Sequence, residues 1–398
     1  MQRPVSAAPA VWWATAAGLC ASLVGIGLAR FAYTPLIPAL ISAGWFSPSQ
    51  AAYLGAANFA GYLGGALAAS HLARLPARVI LRAMMLVATV AFFACAQPVS
   101  FPWFAAWRCA AGVAGGVLMV LAAPSILPFV PARRRGLASG AIFTGVGIGI
   151  AASGLLVPAM LRLGVGAAWL GLGGLAVVLT ALAWGGWPRS NPLPAPSAAS
   201  ERAAGRALWA VVIAYGLNAF GLVPHMVFLV DYVARGLGRG LPAGALCWVV
   251  FGVGAVFGPV TTGAIADRIG FVAAFRLALA IEAGVVAMPL LSSATPSLLL
   301  SAALAGIFAP GAVPLALGRI HLLYAPGTDA ARAGWRLATI AWAVGQAGAA
   351  YGFSFVYSRT GAYGPLFLAG SVGLVLALAV DLAGGTRKGR RAVRGALP

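Results

Sequence analysis

Apolar residues run in long blocks along the whole chain, separated at short intervals by clusters of Gly, Pro, Ser and Arg. Each block approaches the roughly 20 residues that a helix needs to cross a hydrocarbon core, and the short alternating segments of a transmembrane barrel are missing. The pattern predicts twelve spanning helices, at 11–40, 49–71, 79–97, 101–130, 137–161, 166–187, 206–231, 243–266, 272–292, 297–322, 335–358 and 362–383. The expected fold class is all-α and integral to a membrane. Only one charge, Arg3, precedes the first block, and no small-residue cleavage site follows a short apolar core, so that block is expected to be retained as a helix.

Composition sharpens this picture. Hydrophobic residues make up 62% of the 398 residues and charged ones 8%, with a mean hydropathy of +0.95, far from a soluble domain. A net charge of +20 suggests nucleic acid only if it forms a surface patch, and here it sits in short loops. On the side of the termini the loops hold Arg74, Arg78, Arg133, Arg134, Arg135, Arg202, Arg206, Arg268 and Arg332, and the tail holds Arg387, Lys388, Arg390, Arg391 and Arg394. The other side has Arg162, Arg235, Arg239 and Arg359. Basic residues favour cytoplasmic loops, so both termini are expected in the cytoplasm, with the tail against anionic lipid and no nucleic-acid partner. Cys20, Cys95, Cys109 and Cys247 all fall inside predicted spans, as small apolar side chains rather than a disulfide or metal site. No cofactor or metal is expected, and the chain is read as a monomer in a lipid bilayer.

Between the sixth and seventh spans lies PRSNPLPAPSAASERAAGR, which has no periodic apolar face and reads as a linker. The expected organisation is a six-helix bundle at 1–187, a cytoplasmic linker at 188–205, a second six-helix bundle at 206–386 and a basic cytoplasmic tail at 387–398. The halves also resemble each other, since RGLASGAIFTGVGIG at 135–149 aligns without gaps to WRLATIAWAVGQAGA at 335–349. Two such halves suit a transporter working by alternating access, with substrate near the midplane between them.

Local motifs agree. GAIADRIG, from Gly263 through Asp267 and Arg268 to Gly270, resembles the signature loop of the major facilitator superfamily, in which an Asp and an Arg hold neighbouring helices in one gated state. The matching first-half stretch, GALAASHLARLPAR, keeps Gly-Ala-Leu-Ala but has Ala69 and Ser70 at those positions. RCAAGVAGG at 108–116 is similar to the fourth-helix motif of that superfamily, and GIGLARFAYTPLIP at 25–38 with NFAGYLGG at 58–65 resembles its bacterial YbfB/YjiJ branch. The resemblance implies a multi-pass carrier in the bacterial inner membrane, with the first and fourth helices lining a central cavity.

Arg30 interrupts an apolar run, and Arg108 lies at a similar depth, about seven residues below the end of its span against about ten for Arg30. Pro35 and Pro38 predict a kink just beyond Arg30. The six acidic residues are Glu201, Asp231, Asp267, Glu282, Asp329 and Asp381, so neither arginine has a carboxylate partner in its own half. Guanidinium groups suit carboxylate or phosphate recognition. Arg30 and Arg108 are therefore expected to clamp a small organic anion, aided by Tyr33, Asn58, Asn218 and Gln346. The alternative is that freed carbonyls, Tyr33, Asn58, Tyr62 or aromatic faces satisfy each arginine.

Glu282, His225 and Asp231 are candidate proton-coupling sites, against readings of Glu282 as an interhelical hydrogen-bonding residue and His225 as a packing contact. The glycines at 112, 115, 116, 145, 147 and 149 are read as helix-packing positions and not phosphate loops. Trp12, Trp13, Trp45 and Trp103 read as interfacial anchors. His71, His225 and His321 lie on different spans and no HExxH or GxSxG occurs, which disfavours an enzyme. A drug or metabolite efflux carrier for neutral or cationic compounds, and a non-transporting ligand sensor, stay open as alternatives.

Overall fold

The computed structural model describes residues 7–72, 75–131, 135–188, 205–324 and 328–384, and within them every regular element is helical. The predicted linker, apart from residues 188 and 205, and the basic tail lie outside the described residues, as do Arg74, Arg133, Arg134 and Arg202. Helix α1 (Ala7–Ser22) passes through a π-helical turn, Leu23–Leu28, and a further bend before α2 (Tyr33–Ser42). Then come α3 (Pro48–Leu72), α4 (Ala77–Ala94), α5 (Phe101–Ile126), α6 (Arg135–Leu161) and α7 (Val165–Ala183). The second half holds α8 (Arg206–Val223), α9 (Gly240–Leu291), α10 (Thr295–Leu323), α11 (Asp329–Thr360) and α12 (Gly364–Gly384). Two π turns, Pro224–Phe228 and Tyr232–Gly236, extend α8.

Nine helices among the described residues are long and apolar enough to cross a membrane, with Val11–Ser42 and Arg206–Gly236 each taken as one. The more polar α3 and α11, which carry Asn58 and Gln346, are not among them. The 52 residues of α9 exceed twice the length of a span. They divide at Gly270, whose φ of 81° and ψ of 151° belong to a region open essentially to glycine alone. Residues 240–269 and 271–291 are thus two helical arms.

The first helix departs from regularity earlier than its prolines suggest. Pro35 sits in the first turn of α2, where no helical N–H is required of it, and the Phe31 carbonyl is taken by the Thr34 amide at 3.2 Å. A first break lies upstream of the bend at 29–32, where the Ala29 amide reaches back five residues to the Val24 carbonyl at 3.0 Å. Gly25 and Gly27 permit it by letting this strand of backbone press on its neighbours: a Cβ on Gly27 would lie 2.8 Å from the Gly149 Cα.

The two halves of the chain meet where α6 packs on the first arm of α9 and α3 packs on α11. Along the first seam the backbones nearly touch, since a Cβ on Gly252 would lie 2.2 Å from the Ala151 nitrogen and one on Gly147 2.5 Å from the Val256 nitrogen. The Trp248 indole donates to Ser153 Oγ at 3.1 Å and its ring packs 6.0 Å from that of Phe31. Thr34 Oγ1 donates to the Met226 carbonyl at 2.6 Å, and the Tyr53 and Tyr351 rings pair at 6.3 Å. All these contacts lie at mid-depth or toward the connections 43–47, 237–239 and 361–363, away from the end that carries Asp267 and Gly270. That seals one end of the interface between the halves.

Candidate functional site

Arg30 follows the π turn of the first helix and Arg108 lies on α5, and the interruption between α1 and α2 brings them to one place. Both border a cavity of about 10 Å³, lined also by Tyr33, Asn58, Phe59 and Met226, with room for about one water. Arg30 is 7% exposed and Arg108 2%, so both charges have left bulk solvent.

The guanidinium of Arg30 is enclosed by aromatic faces, 4.2 Å from the Phe59 ring centroid, 4.9 Å from Tyr62 and 5.1 Å from Phe31. Its Nη2 donates to the side-chain oxygen of Gln346, on α11 in the other half, and its Nε has no partner among the described residues. Arg108 lies 4.3 Å over the Tyr33 ring and its Nη1 donates to the Ala29 carbonyl at 2.6 Å. That oxygen would otherwise serve the helical bond that the break beside Arg30 removes. The Nε of Arg108 also lacks a partner among the described residues. Asn58 braces the pair, donating its amide to the Arg108 carbonyl at 3.0 Å while its Oδ1 stays unpartnered, and Tyr33 donates to the Ala51 carbonyl at 2.7 Å. Among the described residues no carboxylate forms an ion pair with either arginine. Two buried guanidiniums thus share one cavity, each with an incompletely paired set of donors among the described residues.

The structure brings together Arg30, Tyr33, Asn58, Arg108 and Gln346, and leaves Asn218 elsewhere. Asn218 on α8 donates to Glu282 on the second arm of α9; both are wholly buried, and Asn218 Oδ1 and Glu282 Oε1 are without partners among the described residues. His225 meets Ser301 Oγ at 2.7 Å and packs edge-on against Phe367. Since the Ser301 hydroxyl donates to the Val285 carbonyl at 2.8 Å, it accepts from His225 Nε2–H, which places a proton on that ring nitrogen. Asp231 pairs with Arg235 at 2.9 Å and accepts from the Tyr363 hydroxyl at 2.6 Å. Among the described residues no hydrogen bond or ion pair links Glu282, His225 and Asp231 to one another.

Near the end of the first arm of α9, Asp267 and Arg268 are exposed and the side chain of neither makes a hydrogen bond or ion pair with another described residue. Among the described residues these two side chains form no interhelical clasp of the kind the resemblance implies. A clasp exists nearby that sequence reading missed. Asp381 on α12, fully buried, receives Arg276 Nε at 2.7 Å and Arg319 Nη2 at 2.9 Å, joining the second arm of α9, α10 and α12. The available signal was three charges placed a few residues inside the same end of three predicted spans. Replacing Asp381 by asparagine leaves two inward arginines without a counter-ion, and thermal unfolding in detergent is expected to show a loss of about 3 kcal/mol.

Comparison with protein-family models finds a match over residues 22–382 to the family described as Uncharacterised MFS-type transporter YbfB. Comparison with curated proteins finds no match.

Proposed function

Because the chain belongs to the family of MFS-type transporters represented by YbfB, we propose that it carries a small organic anion across the bacterial inner membrane by alternating access. The proposed architecture has twelve spans in two six-helix bundles. To the nine apolar helices it adds the second arm of α9 and the cavity-facing α3 and α11, whose polar residues lower their hydropathy. Twelve spans put both termini on the Arg-rich, cytoplasmic side. The sealed end of the interface then faces outward, and the unclasped Asp267 and Arg268 face the cytoplasm, as in an inward-facing carrier.

The anion preference rests on one observation: Arg30 and Arg108 share a buried cavity at the junction of the halves with no carboxylate among the described residues paired to either. The fork of a guanidinium matches a carboxylate in geometry and charge. Glu282 is the candidate for a coupling proton, being fully buried with no cation among the described residues paired to it. Counterflow in proteoliposomes tests the reading. Saturable exchange of short-chain carboxylates is expected, with no response to alkylammonium ions. Exchange confined to cationic compounds would replace the anion carrier by an efflux pump, and binding without exchange would replace it by a sensor.

A further inference from the structure

The one described hydrogen bond of the Arg30 side chain goes not to its own half but to the carboxamide of Gln346, 316 positions away. Three aromatic rings occupy the space around the guanidinium, which leaves an edge as the surface a ligand can reach. Gln346 holds that edge. Its own amide nitrogen points to Met226 Sδ at 3.4 Å, a weak acceptor that turns the carbonyl oxygen toward Arg30; a flipped amide would aim N–H at a cation.

We propose that Gln346 is a placeholder for the substrate, its carboxamide filling the seat of a carboxylate and joining the halves while the site is empty. This rests on the anion reading above and adds a specific role for the second half. A carboxamide has nearly the shape of a carboxylate but no charge, so it bonds Arg30 more weakly than an anion does. An arriving carboxylate therefore displaces it, and the displaced bond is one of those that close the interface between the halves. Ligand entry and loss of the direct bond across the halves are one event. A fixed negative charge at 346 would occupy the seat permanently, while removal of the side chain would vacate it.

The two substitutions accordingly act in opposite directions. With propionate as the probe, and propionamide as its neutral isostere, thermal-shift titration of the full-length protein is expected to show binding weakened at least about tenfold in Gln346→Glu and unchanged or tighter in Gln346→Ala. Hydrogen exchange without ligand supplies the second measurement: peptides over 30–42 and 222–236 exchange faster than wild type in Gln346→Ala and more slowly in Gln346→Glu. A residue that merely packs would shift both variants the same way. Propionate binding in Gln346→Glu equal to wild type, or exchange moving the same way in both variants, overturns the placeholder. If propionate fails to stabilise wild type while the exchange rates split as described, the carboxylate reading falls and the cross-half bond remains.

Discussion

Arg30→Gln is expected to abolish carboxylate counterflow, by about 100-fold or more, without lowering the melting temperature of the empty protein. The two halves of that expectation share one cause. A carboxylate held by a desolvated guanidinium loses a few kcal/mol when the partner is truncated. In the empty protein, however, Arg30 shares its cavity with a second buried cation and has no carboxylate in ion-pair contact among the described residues. Neutralising one of two such charges relieves repulsion and desolvation, so function falls while stability holds or rises. Arg30→Lys keeps the charge but gives up the planar fork and the ring stacking, and should retain weak uptake. Uptake undiminished in Arg30→Gln would show that the aromatic enclosure and the Gln346 bond are a packing arrangement only.

Gly252→Leu is the second large effect. Its Cβ would sit 2.2 Å from the Ala151 nitrogen and 2.5 Å from the Ala151 Cα, both backbone atoms, so no side-chain rotation makes room. The seam between α6 and the first arm of α9 must part, and the sealed end cannot close. Net transport should drop by two orders of magnitude or about that, because a carrier held in one state binds but does not turn over. Propionate binding should survive, since Gly252 touches neither arginine. Gly284→Leu, at a glycine with nothing within 4 Å of its Cβ position, serves as the control and should transport normally. Normal turnover by Gly252→Leu would remove this seam from the transport cycle.

Much of the site is legible in sequence because depth and scarcity are one-dimensional properties. Arg30 and Arg108 can be set at matching depths by counting residues, and the lack of any acid before Glu201 follows from the chain itself. Asn58 and Gln346 stand out as amides in apolar runs, and both reach the arginines. Asn218 has the same signature and turns instead to Glu282, since which face of a helix a residue occupies depends on how neighbours cross it. The Asp381 clasp was hidden for the same reason: its three charges come from helices that sequence does not show to be adjacent. Of the two irregularities in the first helix, the bend just beyond Arg30 is legible in sequence and the π turn before it is not. Proline chemistry points downstream of Arg30, whereas close backbone contact at Gly25 and Gly27 sets the π turn upstream.

Both guanidiniums at the cavity belong to one half, and the other half meets them with a neutral amide. Any rocking of the second half past the site therefore drags no ion through the low-dielectric interior. The pair stays with its own half through such a stroke, and what changes around it is the bond to a neutral amide and the charge of the cargo.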